Sequence, residues 1–351
     1  MTTRATASQL QRFLLRPPYG WRSLGLILLL VVFAAWSAQR VELDRMAANL
    51  AEWGRASLGL AEESQVGRGL SRALGTMWPP VVSERVELAR LSEAERNRLP
   101  PFAGIEVERR VETRIDPATL EMRSAVVETE VLVLPLGYLG SVLVKMWETV
   151  EIALWATLFA IILSLPLAVL ASANYTPNRA AYIGSRALIS GLRAVPELIS
   201  ALFLVLAFGF GPVAGILALA LHAAGFLGKF FAKDIENADR KPQEALSASG
   251  ARPLAVLWVA VLPQVLPQYV AYALYILDRN VRMAAVIGLV GAGGIGQELK
   301  GRWDMFQYGH VATILLVIFV TVFLLDQVSA VLRKRLIEGS AQRDARPNLI
   351  G

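Results

Sequence analysis

The sequence contains no cysteine and only two histidines, His222 and His310. The first absence excludes disulfides and thiolate metal sites and leaves the compartment open. The second excludes a histidine-based metal cluster. Charge is also scarce, since Asp, Glu, Lys and Arg together make up 18% of the chain. No nucleophile–base pair and no carboxylate pair stands out, so no catalytic residue, cofactor or metal is expected of this chain.

Apolar residues dominate instead, at 55% of 351, with a mean hydropathy of +0.47. Apolar runs cover 152–171, 188–208, 213–230, 254–277 and 311–332. Each is near the ~20 residues a helix needs to cross a bilayer. A shorter run, 24–38, follows a tail that carries Arg4, Arg12, Arg16 and Arg22 and no acid. A signal peptide is the alternative reading there, but Trp36 fits badly at the minus-three position of a cut after Ala38. An uncleaved anchor is expected, which makes six spans with both ends in the cytoplasm.

The isoelectric point near 9.7 would point to nucleic acid in a soluble protein. Here the bases sort by membrane side, and no nucleic-acid partner is expected. Arg179, Arg186 and Arg193, spaced by seven residues, form one stripe of a helix expected at the cytoplasmic interface. Arg333, Lys334 and Arg335 follow the last run, whereas the outer loop 209–212 has no charge. The expected fold class is an all-α polytopic membrane protein, surrounded by lipid. Its parts are a cytoplasmic tail (1–22), an anchor (23–38), an external insertion (41–137), a transmembrane domain (145–332) and a second cytoplasmic tail (333–351).

The insertion holds 16 acids against 12 bases, and long segments of this kind translocate regardless of charge. Residues 43–74 read as amphipathic helix. Ile105, Val107, Val111 and Ile115 partly alternate with charges, 116–119 is a turn signal, and 126–134 returns as a strand. A β-hairpin is expected, serving either as a structural flap or as a contact for an external protein. An isolated hairpin is marginal and needs something to pack on.

Between two apolar runs lies a polar gap, 233–253, preceded by Lys229 and containing Lys233, Arg240 and Lys241. Pro242 suits a first helical turn, Glu244 favours the helix dipole, Gly250 suits a left-handed C-terminal cap, and Pro253 blocks continuation. A short helix of this kind between two spans is suited to docking a soluble partner. The order Glu244-Ala245-Leu246, Gly250, Leu262-Pro263 resembles the coupling loop of ABC importer permeases, with Leu246 and Ala260 where the family usually has Ala and Ile.

Further strings are similar to the phosphonate, phosphite and phosphate-ester group of these permeases. They are 193–198 (Arg193-Ala-Val-Pro196-Glu197-Leu198), 222–229, 262–268, 279–282 (Arg279-Asn280-Val281-Arg282) and 288–296, and the similarity runs over about 149–326 plus the first anchor. The resemblance implies a type I ABC importer permease fold with six transmembrane helices. It also implies a cytoplasmic ATPase dimer, an external solute-binding protein, a second permease copy and a phosphonate-like solute. Another solute, such as phosphite, a phosphate ester or methionine, is the rival reading within transport.

Three groups of residues are candidates for the pathway. Arg279, Asn280 and Arg282 fall in 278–307, a segment assigned to the outer side yet holding four bases. The two arginines either snorkel beside Asp278 or guide an anion, for which a planar guanidinium offers two parallel donors. Gly291, Gly293, Gly294 and Gly296 permit irregular backbone beside a cavity. They also satisfy Gly-x-Gly-x-x-Gly, the mark of a membrane-bound nucleotide-using enzyme, but no acid lies about twenty positions on to hold a ribose. His222 lies within the fourth span, where a histidine satisfied by a carbonyl is the commoner case. Arg193 and Glu197, four apart across Pro196, are expected to pair and to gate or brace span three. Pro166, Pro263 and Pro267 are expected to kink spans two and five.

Overall fold

The computed structural model describes residues 20–60, 64–91, 102–115 and 122–344. Its contacts divide the chain into two compact units, Met1–Thr76 and Met77–Gly351.

The first unit holds α1 (Trp21–Arg40), α2 (Leu43–Ser57) and α3, which runs Gln65–Met77. Leu26, Leu29 and Phe33 of α1 are exposed, as a lipid-bathed anchor requires. The helix expected over 43–74 is two helices. Gly59, at φ +72, turns the chain out of α2, and the amides of Gly59 and Leu60 close on Ala56 and Arg55 as a C-terminal cap.

The second unit opens with a three-stranded antiparallel sheet, β1 (Glu84–Glu87), β2 (Gly104–Ile115) and β3 (Met122–Leu134), in the order β1-β3-β2. The hairpin pairs Gly104 with Val133 through to Ile115 with Met122. Its expected turn at 116–119 lies outside the described residues. β1 is too short and too charged to be read from pattern. It supplies what the hairpin packs on, because the adjoining backbone is tied to the helices: Val81 N–H donates to Gly309 (3.0 Å) and Leu139 N–H to Val82 (3.1 Å).

Eight helices follow among the described residues: α4 (Gly137–Ala171), α5 (Arg179–Ala194), α6 (Glu197–Phe208), α7 (Pro212–Asn237), α8 (Arg240–Ala248), α9 (Pro253–Gly288), α10 (Gly294–Asp304) and α11 (Tyr308–Asp344). Five helices of the described chain, α1 included, are long and apolar enough to cross a membrane, and α5 with α6 makes a sixth as one broken span. α4 and α7 meet through small residues: Ala153, Ala156 and Ala160 on one, Ala214, Ala218 and Ala224 on the other, all buried. Side chains this small let two backbones approach closely, which is how helices associate where apolar burial alone gives no advantage.

One expectation about the spans is corrected. The run 188–208 is not one helix, because α5 and α6 meet at 89°. Pro196 lacks an N–H and forces the preceding residue out of the helical region, and Val195 is accordingly extended at ψ 122. Proline also acts differently along the other spans. Pro166 sits inside α4 without ending it. In α9 the strain ahead of Pro263 is taken up by a π-helical turn over Leu257–Val261. Gln264 Nε2 donates to the Ala260 carbonyl in that turn, at 2.6 Å.

Candidate functional site

Two places on the second unit gather the residues singled out in the sequence. The first is α8. Asp239 caps its N-terminus by accepting from the Lys241 amide at 3.1 Å. At the other end Gly250 stands at φ +84, its amide bonded to Ser247 (3.0 Å) and that of Ala251 to Leu246 (3.2 Å). Those two bonds form the Schellman closure, for which the left-handed residue must be glycine or pay a steric penalty. Glu244 and Ala245 point outward and are exposed, whereas Leu246 is half-buried. Leu262 is half-buried and Pro263 exposed, directly after the π-helical segment.

Two contacts hold α8 to the spans, and neither was legible in the sequence. Tyr175, in the α4–α5 connection, donates its hydroxyl to Gln243 Oε1 at 2.8 Å. The Asp239 amide donates to Gln264 Oε1 at 3.0 Å, so the side chain that braces the π-helical turn of α9 also grips the start of α8. Nearby, Glu236 of α7 ties down α5 and the α4–α5 connection by accepting from Arg186 (2.8 Å) and from the Ala173 amide (3.0 Å).

The second place is a charged cluster halfway along the spans. Glu197 does not pair with Arg193, because the bend at Pro196 separates them; this corrects the expected pair. Its Oε1 instead accepts from Arg279 Nη2 and faces His222 Nε2 at 3.4 Å. His222 Nδ1 meets the Val195 carbonyl at 3.2 Å. Arg193 and Arg279 lie over one ring, their Cζ atoms 4.8 Å and 5.2 Å from the centre of Phe226. Two guanidinium atoms in the cluster, Arg193 Nε and Arg279 Nη1, are buried without an acceptor.

The depth of the cluster follows from helix geometry. Gly211 donates to Gly291 at 2.9 Å, so the Gly209–Gly211 turn and the end of α9 share one level. From that level His222 is about ten residues along α7, Arg279 about ten back along α9, and Glu197 twelve back along α6. At ~1.5 Å per residue each lies roughly 15–18 Å from that turn, which, with the turn at one edge of a ~30 Å hydrocarbon layer, is near the middle of it.

Arg279 and Arg282 therefore do not occupy a short outer loop, which is the third correction. α9 continues to Gly288 and carries both. They also part company. Arg282 pairs with Asp278 at 2.8 Å with 45% of its side chain exposed, while Arg279 is 21% exposed and turned toward α6 and α7. Asn280 is buried and donates to Thr157 of α4 at 2.9 Å. Arg193 likewise leaves the expected interfacial stripe. Arg186 stays near α8 on Glu236, but α5 rises along α7 and carries Arg193 to the level of His222.

Residues 160–338 match the family described as binding-protein-dependent transport system inner membrane component. The chain belongs to that family. It is 58% identical over 261 residues, 74% of its own length, to the whole of the putative phosphite transport system permease protein HtxE of Stutzerimonas stutzeri. It is 47% identical over 187 residues to the phosphite transport system permease protein PtxC of the same organism, covering 53% of this chain and 68% of that one. The phosphate-import permease protein PhnE of Mycolicibacterium smegmatis is 42% identical over 190 residues, covering 54% of this chain and 36% of that one. The protein is thus a multi-pass inner-membrane permease subunit of the type I ABC importer fold, not an enzyme.

In this permease the glycine string is a packed turn. Gly291, Gly293 and Gly294 all have positive φ (+91, +84 and +70), and a Cβ on Gly291 would strike the Phe210 ring at 2.2 Å. Gly296 crosses α9 so closely that its Cβ would meet the Ala285 carbonyl at 2.0 Å. A nucleotide phosphate would need the amides that begin α10. Those amides are already taken: Gly294 N–H donates to Glu148 Oε1 (3.1 Å) and Ile295 N–H to Thr149 Oγ1 (2.7 Å). All residues from Gly291 to Gly296 are buried.

Proposed function

We propose that this permease passes a small phosphorus oxyanion, phosphite or a phosphonate-like relative, across the inner membrane. The observation that carries the reading is the mid-depth cluster of Arg193, His222 and Arg279 with one carboxylate, Glu197, among them. Ionisable side chains are costly at that depth and commonly mark a solute path. The 58% identity to a protein named for phosphite transport agrees with it.

In this reading an ATPase dimer docks on α8 through exposed Glu244 and Ala245, a solute-binding protein meets the opposite side, and a second copy completes the path. Outward-facing Phe203, Leu206, Phe319 and Phe323 suit lipid or that second copy. ATP-driven movement of α8 reaches the solute along α9, because Gln264 grips Asp239 and Arg279 lies fifteen residues further on the same helix, ~22 Å away. The hinge available to that movement is the π-helical turn beside Gln264.

The test is competition for uptake in cells expressing this permease with its ATPase and binding protein. Labelled phosphite should enter and should be displaced by unlabelled phosphite or a phosphonate, and not by methionine. Displacement by methionine alone would support the rival solute.

Sidedness is testable in the cysteine-free background. Arg109→Cys on the hairpin should react with an impermeant maleimide added outside intact cells, and Ser247→Cys on α8 should react only after permeabilisation. The reverse pattern would overturn the orientation.

A further inference from the structure

We propose that Glu197 is an internal counter-anion occupying part of an oxyanion site built from Arg279, Arg193 and His222, and that the arriving solute displaces it. This rests on the oxyanion reading above and says where and how the solute binds.

The donors outnumber the acceptor. Glu197 Oε1 alone faces both Arg279 Nη2 and His222 Nε2. Arg279 Nη1 and Arg193 Nε remain buried and without an acceptor. A buried donor left unmade is costly, and for a charged donor more so. One carboxylate cannot reach four donors spread over α5, α7 and α9. A tetrahedral oxyanion with three acceptor oxygens can, because its oxygens point in different directions while a carboxylate's two are coplanar.

The histidine adds a chemical constraint. Both of its ring nitrogens face acceptors, Nδ1 the Val195 carbonyl and Nε2 the Glu197 carboxylate. A neutral imidazole has one N–H and satisfies only one of them. The pair therefore has room for one further proton between its nitrogen and oxygen. The ionisable groups facing the pair are Arg193 and Arg279.

The scaffold holds the two guanidinium groups in place. Phe226 lies against both, and an aromatic face attracts cations without satisfying their N–H donors. Gly225 leaves room for the stem of Arg193, since a Cβ there would lie 2.8 Å from Arg193 Cγ. The glycine beside Phe226 thus keeps Arg193 directed into the cluster.

The experiment measures phosphite uptake by the full transporter in proteoliposomes, per inserted permease, against phosphite concentration. Glu197→Gln removes the competing charge while keeping an acceptor for Arg279, so KM should fall about tenfold and turnover should fall with it, because release is slowed. Arg193→Gln should raise KM about tenfold. Glu197→Asp should restore turnover toward wild type. A Glu197→Gln permease that loses turnover at unchanged or raised KM would make Glu197 a structural brace and sink the proposal. If Glu197→Gln fails to assemble, Arg193→Gln decides alone: a wild-type KM there overturns the site. Failure of the wild-type transporter to take up any phosphorus oxyanion is a different result, and it would remove the substrate reading instead.

Discussion

Replacing Arg279 with glutamine should abolish phosphite uptake, a loss of at least about a hundredfold per inserted permease. Removing one partner of a buried ion pair costs about 3–5 kcal/mol, because it strands the other charge. Here the stranded group is Glu197, 12% exposed and facing His222. Lysine keeps the charge but loses the planar fork that reaches Glu197 and presents Nη1 at once, so Arg279→Lys should keep only part of the uptake. Snorkelling is not open to this side chain, because roughly 15 Å of span separates it from the nearer surface. Arg282 provides the control. Arg282→Gln disturbs the buried carboxylate of Asp278, so it should lower the amount of inserted protein while uptake per inserted permease stays near wild type. Normal normalised transport by Arg279→Gln would end the assignment of this cluster to the path.

Gly250→Trp should uncouple the permease while leaving it in the membrane. A side chain at φ +84 costs about 1–2 kcal/mol, and the Schellman bonds from Gly250 and Ala251 are lost with the turn. α8 is nine residues long, too short to hold its helix without its caps and its contacts to Tyr175 and Gln264. ATPase co-purification and uptake should both drop more than about tenfold, the equivalent of ~1.4 kcal/mol or more at the docking surface. Glu244→Ala should give a milder version, since that carboxylate is exposed and free to meet the ATPase. Gln264→Leu should separate the two readouts: the ATPase still binds, but uptake falls because α8 no longer grips α9. Full uptake and full co-purification in both Gly250→Trp and Glu244→Ala would refute the coupling role of α8.

Much of the architecture was readable from local signals. The apolar runs fell inside five of the six spans, because crossing a bilayer imposes a length and a composition on each segment independently, although α4 begins 15 residues before its run and α9 ends 11 after. The α8 cap was readable for a similar reason: Gly250 and Pro253 act within a few residues of themselves. The hairpin was readable from alternation and β1 was not, because four residues paired across a long insertion leave no periodic trace.

The charged cluster lay beyond local reasoning. Spacing on one chain predicted that Arg193 would meet Glu197, four residues away. Pro196 breaks the helix between them and turns α6 by 89°, which hands Glu197 to a residue 82 positions later. Gln264 was equally silent, since an amide in a polar stretch acquires meaning only when α8 folds back against α9. By itself the sequence determined that this is a multi-pass permease, where its apolar runs lie and where the short polar helix between two of them ends. Those features depend on the solvent each segment meets and on the few residues beside it. Which charges face one another at mid-depth was decided only by the tertiary structure, because desolvated donors and acceptors must find partners wherever packing brings them.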